Sequence, residues 1–314
     1  MTEMIAQRVA FAQTLIELGR ENEKIVVLDA DLATSTLVDK FAEALPERFF
    51  EMGIAEQNMF GVAAGMATLG IIPFCSTFAC FTAKRALDQI RVLIAQPKLN
   101  VKMIGAYSGI LTGKTGKTHQ SVEDIAVFRA MPHIVTIAPV DGREVALALR
   151  AMVDYQGPIY LRLTRDPCPV IVDDDYVFTI GKALLLRDGS DVTIIGTGEQ
   201  SQRCLVAAEI LAEQNIQAHV LHVPTIKPLD VEAIIAAGVK TGLVVTAEDH
   251  SIIGGLGGAV AEVLGEHNPL PIKRVGWPDI FGESGANDDL LDKYGLTPEQ
   301  VAKAAMELLQ RRRR

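Results

Sequence analysis

The chain has 314 residues, 49% hydrophobic and 22% charged, proportions of an ordinary globular protein that exclude a disordered or fibrous architecture. Its formal net charge of −9 and pI near 5.2 give it no electrostatic footprint for a nucleic-acid backbone or an anionic membrane surface, so small molecules and other proteins are the expected partners. At roughly 100–200 residues per domain, the length suggests two domains.

Short β-branched runs alternate with helix-period segments from end to end, the pattern of an α/β fold in which helices cover mostly parallel sheets. In the first half, strands are expected at 24–30, 71–77, 101–106, 134–138 and 159–163, each bounded by turn residues. A helix begins at Glu56 and places Met59, Val62, Ala63 and Met66 on one face. Around 166–191 the pattern breaks at Pro167, Pro169, an acidic run at 173–175 and the turn Asp188-Gly189-Ser190, so the domains are expected to be 1–178 and 179–314. A new alternation follows: a strand at 192–196, a helix at 200–214, strands at 218–223 and 243–247, a glycine-opened helix from Gly254 and a last helix capped by Thr297.

Cys75, Cys80, Cys168 and Cys204 form neither a CxxC nor a metal-ligand pairing, and no secretory signal opens the chain; core-filling thiols, a reducing cytoplasm and no metal ligands in this chain are expected. No apolar run reaches the ~18–20 residues needed to cross a bilayer. The run 311–314, four arginines, reads as a solvated tail.

TGKTGKT at 112–118 imitates a phosphate-binding loop but fails its spacing: counting back from Gly113-Lys114-Thr115 reaches Ser108, and from Gly116-Lys117-Thr118 reaches Leu111, where the motif requires glycine. Gly254, Gly255, Gly257 and Gly258 lack the dinucleotide fingerprint and point to close helix packing. Glu56, in MGIAEQNMFGVAAGMA, either complements a helix dipole or is a functional carboxylate desolvated by its apolar neighbours. His119, in GKTHQSVEDIAVFRAMP, follows a glycine-rich approach that lets an imidazole come close to a ligand. Arg165 ends the strand in PIYLRLTRDP, where ligands of open α/β sheets bind; the alternative is a surface ion pair with Asp166.

The series VVLDADLATS, MGIAEQNMFGVAAGMA, STFACF, TGKTHQSVEDIAVFRAMP and YLRLTR, in this order, resembles the pyrimidine-binding domain of transketolases and deoxyxylulose-phosphate synthases. VTIIGTGEQ, AEDHSIIGGLGGAV and GWPDIFGESGANDDLLDKYGLT resemble the transketolase C-terminal domain, so almost the whole chain is covered.

The resemblance implies a thiamine-diphosphate enzyme that transfers a two-carbon ketol unit between sugar phosphates, with the cofactor as electron sink. By resemblance Glu56 hydrogen-bonds the aminopyrimidine and promotes its imino tautomer, Phe81 stacks on that ring beside Phe78, and Asp31 lies on the cofactor side or at a subunit interface. His119 binds substrate and stabilises a developing oxyanion, while Arg8, Arg165 and Ser35 grip a sugar phosphate.

Thr115 stands where the family usually carries an aspartate, Tyr107 where many members carry a histidine and Lys84 where larger transketolases carry an aromatic; a branched or modified sugar phosphate is therefore a second expectation. The GDG-to-NN segment that holds Mg²⁺ and the diphosphate is absent. A separate N-terminal subunit is expected to supply it, in an α2β2 heterotetramer with a homodimeric core. The alternatives are a deoxyxylulose-phosphate-synthase-like protein, the β subunit of a 2-oxo-acid dehydrogenase, and a catalytically silent interaction subunit.

Overall fold

Short strands of three to eight residues, the central ones buried on both faces, build two parallel-rich sheets. A computed structural model of the chain describes residues 3–312. The strands are β1 (Met4–Ala6), β2 (Ile25–Asp29), β3 (Phe49–Glu51), β4 (Ile72–Phe78), β5 (Lys102–Ala106), β6 (Val135–Ile137), β7 (Ile159–Arg162), β8 (Pro167–Pro169), β9 (Leu184–Arg187), β10 (Val192–Gly196), β11 (Ala218–His222), β12 (Thr225–Lys227), β13 (Val244–Ser251) and β14 (Ile272–Trp277). The first sheet has the order β12-β6-β7-β5-β4-β2-β3, parallel except for β12; the second has the order β14-β13-β10-β11-β9, parallel except for β9.

Every residue of β2, β4 and β5 is buried, which is why these strands read as continuous rather than alternating. Even Lys102 is sealed in, its ammonium donating to the carbonyls of Tyr155 (2.8 Å) and Gly157 (3.1 Å), and burial pulls its pKa down to about 7. One face of the first sheet packs on the helices Gln7–Glu21 and Gly142–Asp154 through Phe11, Leu15, Val145 and Leu149. The other packs on the helix Glu56–Thr68, whose buried face is Met59, Phe60, Ala63 and Ala64. The expected face is thus turned slightly: Val62 and Met66 are half-buried at its rim. The second sheet is covered by the helices Gln200–Ala212 and Pro298–Arg312 on one side and Val231–Thr241 and Leu256–His267 on the other.

Six strands, β1, β3, β8, β9, β12 and β14, lie outside the expected apolar runs, and β12 matters for domain organisation. β12 follows β11 in the second half of the sequence, yet it pairs antiparallel with β6 and closes the edge of the first sheet. Covering an open edge is a general need of sheets; here the strand comes from the segment beyond the expected 178/179 boundary. β13 runs past Ala247 to Ser251, and its last residues, Glu248, Asp249 and His250, are buried although titratable. Arg311 and Arg312 belong to the last helix, with Arg312 donating to the Thr241 carbonyl at 2.8 Å, rather than to a solvated tail; Arg313 and Arg314 lie outside the described residues. All four cysteines are buried and unpaired, and among the described residues no helix is long and apolar enough to cross a membrane.

Candidate functional site

Open parallel sheets bind ligands beyond the carboxyl ends of their strands, and the candidate residues of the first sheet gather there. Asp31 and Ser35 follow β2, Glu56 follows β3, Phe78 closes β4, Tyr107 follows β5 and Arg165 follows β7. Arg8 joins them from the first turn of the helix that follows β1, and His119 from the loop 107–123.

Contacts link most of these side chains into one continuous row. Glu56, only 1% exposed, is the first residue of its helix; its Oε1 accepts from Arg85 Nη1 at 2.7 Å, while Oε2 is buried with no partner. The Arg85 guanidinium lies 4.1 Å from the centroid of the Phe81 ring, in cation–π geometry. His119 stands edge-on to both Phe81 (5.5 Å) and Phe78 (5.9 Å), and its Nδ1 lies 2.8 Å from the Thr118 hydroxyl. Phe78 stacks on Tyr107 at 4.4 Å. Tyr107 adopts a left-handed backbone (φ 55°), a conformation that costs a non-glycine residue energy and concentrates at functional sites.

Tyr107 sits between the two arginines. Its ring centroid is 5.9 Å from the Arg8 guanidinium carbon and 5.4 Å from that of Arg165. Its hydroxyl donates to the Ser35 carbonyl at 3.3 Å, and Arg8 Nη1 donates to the same carbonyl at 2.9 Å. The Nε–H groups of Arg8 and Arg165 are buried without an acceptor. Two neighbouring guanidinium forks, each with an unused donor, suit an anion such as phosphate. Arg165 also makes the loose ion pair with Asp166 anticipated as its alternative, at 3.9 Å between half-exposed side chains.

Two of the candidate residues stand apart from the row's side-chain contacts. Ser35 contributes its carbonyl to the row, with no hydrogen bond from its hydroxyl. Asp31 is exposed and left-handed (φ 60°), its N–H donating to Glu51 at 2.9 Å, and it makes no contact with the row. Beside it Asp29 is sealed in, and burial together with the Glu51 carboxylate raises its pKa to about 7 against the lowering effect of the Leu32 N–H. The Thr115 hydroxyl turns back to donate to the Thr112 carbonyl at 2.7 Å.

Behind the row lies a buried polar layer that sequence reasoning did not find. Gln7 accepts from the Thr164 N–H at 2.9 Å and donates to the Pro139 carbonyl at 2.8 Å, so the immediate neighbours of Arg8 and Arg165 are tied together. The Thr164 hydroxyl donates in turn to Glu199 of the second domain, whose pKa burial raises to about 7. Arg162 donates to Asp124 (2.9 Å) and to the Asp249 carbonyl (2.5 Å). Residues placed by tertiary pairing carry no local spacing signal; Gln7 and Thr164, each next to a candidate arginine, were the nearest clue.

Ser201, His222 and Glu144 reproduce the connectivity of a hydrolytic triad, with Ser201 Oγ 2.7 Å from His222 Nδ1 and His222 Nε2 2.9 Å from Glu144 Oε2. All three are fully buried, so no substrate reaches them, and the chain of bonds fastens one domain to the other.

Comparison with known proteins identifies the family. Residues 3–169 match the family model "Transketolase, pyrimidine binding domain" and residues 181–301 match "Transketolase, C-terminal domain". The chain is 45% identical over 305 residues to the 6-deoxy-6-sulfo-D-fructose transketolase subunit of Clostridium sp. (strain MSTE9), covering 97% of this chain and 95% of that protein. It is 41% identical over 309 residues to one of the subunits of the apulose-4-phosphate transketolase of Phocaeicola vulgatus, covering 98% and 99%. A solved structure described as a split gene transketolase, inactive beta4 tetramer, superposes with a TM-score of 0.92 at 46% identity, covering 98% of this chain and 99% of that one. The chain belongs to the transketolase family, whose pyrimidine-binding and C-terminal domains it carries.

Proposed function

We propose that this chain is one subunit of a two-chain, thiamine-diphosphate-dependent transketolase that moves a ketol unit between sugar phosphates. The observation that carries the reading is the row from Glu56 to Arg165: an apolar, aromatic stretch with an unpartnered buried carboxylate oxygen at one end and unused guanidinium donors at the other. The first end fits an aminopyrimidine, a flat ring with a nitrogen able to share a proton with Glu56 Oε2; the second fits a phosphate.

Thiamine diphosphate, when bound, supplies a carbon nucleophile and an electron sink that no side chain offers. Glu56 holds the proton-sharing contact to the pyrimidine nitrogen in a dry setting, where such a bond is strong. Phe78 and Phe81 give the ring its stacking surface and exclude water. His119, edge-on to both, donates to the oxygen on which charge develops. Arg8 and Arg165 grip the terminal phosphate and fix the sugar's reach along the row. Mg²⁺ and the diphosphate are held by a separate N-terminal subunit, in an α2β2 assembly with a homodimeric core. The split-gene relative and the two relatives described as transketolase subunits support that division. Four buried, unpaired cysteines suit a reducing cytoplasm.

A modified or branched sugar phosphate is a second reading, favoured by Tyr107: its ring fills the space between the two arginines, and Thr115 is turned away into its own turn. Both relatives compared above are described as acting on unusual sugars.

Glu56→Gln in the reconstituted complex tests the assignment, because it keeps the shape and removes the carboxylate. Turnover should fall about 10²–10⁴-fold, the range of a lost acid–base contact, while the subunits still associate. Retained turnover would leave this chain a silent interaction subunit.

A further inference from the structure

The second domain has no part in the row itself, yet it grips the loop that carries His119. Asn287, the first residue of the helix Asn287–Lys293, is the centre of that grip. Its Oδ1 accepts from the Gly113 N–H at 2.9 Å, and its Nδ2 donates both to the Leu111 carbonyl at 3.0 Å and to Asp166 Oδ2 at 2.6 Å. Every hydrogen-bonding group of the carboxamide is thus used but for one lone pair, and a flipped amide would set its oxygen against a carbonyl and a carboxylate, so its orientation is fixed.

The surrounding segment closes on the same loop. The Gly285 N–H donates to the Gly113 carbonyl at 3.2 Å, and Gln120 Nε2 donates to the Glu283 carbonyl at 2.9 Å. A Cβ on Gly113 would lie 2.6 Å from the Gly285 carbonyl and 2.7 Å from Asn287 Oδ1, so only glycine admits this approach. Leu290 packs against Ile110 and Leu111 from the same helix. His119 in turn hangs from the loop: its N–H donates to the Gly116 carbonyl at 3.0 Å.

Asp166, the other partner of Asn287, follows Arg165 directly. One carboxamide therefore ties the approach to His119 to the segment that ends in Arg165. We infer that Asn287 is a positioning residue that sets His119 and Arg165 at a fixed distance, so that a sugar phosphate held at one end of the row presents its reacting carbon at the other. The inference rests on the function proposed above for His119 and Arg165; the latch itself rests on geometry alone.

The test separates the two. Hydrogen–deuterium exchange of the full chain reads the latch without any substrate: Asn287→Asp removes both donors and faces Asp166 with a like charge, and exchange in 109–120 should rise roughly tenfold or more, the value of one or two charge-assisted bonds. The swap Asn287→Asp with Asp166→Asn restores a donor–acceptor pair between the two positions and should recover much of the protection. In the reconstituted complex with a ketose phosphate, Asn287→Asp should lower kcat/KM about 10–100-fold with unchanged thiamine diphosphate affinity, and the swap should restore a large part. Unchanged exchange in 109–120 overturns the latch. Increased exchange with unaltered kcat/KM, or a parallel loss of cofactor affinity, overturns the positioning role. A wild-type complex that binds cofactor but transfers no ketol unit counts against the proposed reaction and leaves the exchange result to decide the latch.

Discussion

Arg85 and Glu56 form an ion pair at 2.7 Å across the mouth of the row, in which one carboxylate oxygen is taken and the other stays buried without a partner. Removing the guanidinium leaves a sealed carboxylate with no counter-charge, a change that costs more than the pair is worth. Arg85→Met should therefore destabilise the chain by about 1–3 kcal/mol, and Arg85→Lys by less. Thermal unfolding of the three proteins checks this; equal midpoints would mean that solvent already screens the pair.

Arg8 and Arg165 lie beside Tyr107 at the same end of the row, each with an Nε–H that has no acceptor. Arg8→Ala and Arg165→Ala should each raise KM for a phosphorylated donor about 10–100-fold, the worth of a charge-assisted bond. An unphosphorylated donor should show little change, which steady-state kinetics on the paired substrates would resolve.

Tyr107 lies beside both arginines, and Thr115 sits in the loop that carries His119, its hydroxyl turned onto the Thr112 carbonyl. Exchanging them for the family's usual residues, Tyr107→His with Thr115→Asp, should shift the ratio of kcat/KM towards ordinary pentose phosphates, by about tenfold for each sugar hydroxyl gained as a partner. Competition between two donors in one reaction measures that ratio directly.

Glu199 provides a pH-dependent contribution with a defined sign. Burial raises its pKa from 4.5 to about 7, so between those values the folded chain binds a proton that the unfolded chain has released. Stability from this group is complete below about pH 4.5 and is lost as the pH climbs through 7. Glu199→Gln removes the dependence, and its unfolding curve should gain on wild type by up to about 3 kcal/mol between pH 5 and pH 8. Parallel curves across that range would show that the carboxylate is not buried in solution.

The central strands are legible because they are largely apolar, and the last helix because it is periodic. Glu56, His119 and Arg165 are legible because they stand in dense motifs at strand and helix ends. What lies outside local sequence is the pairing: β12 crossing to the first sheet, Arg85 folding back on Glu56 from 29 residues away, and Asn287 reaching the 109–120 loop from 174 residues away. The first and third of these are set by the docking of the two domains and the second by packing within the first, and their residue types are ordinary surface types. Buried titratable residues mislead in the opposite direction: the Glu248-Asp249-His250 run extends a strand expected to end at 247.

The central claim is that this chain supplies the pyrimidine and phosphate ends of a site completed by another subunit. The most direct measurement is ketol transfer from a ketose phosphate, with thiamine diphosphate and Mg²⁺, by the chain alone and after mixing with a transketolase N-terminal subunit. Transfer that requires both chains is the predicted result; full transfer by this chain alone would contradict it.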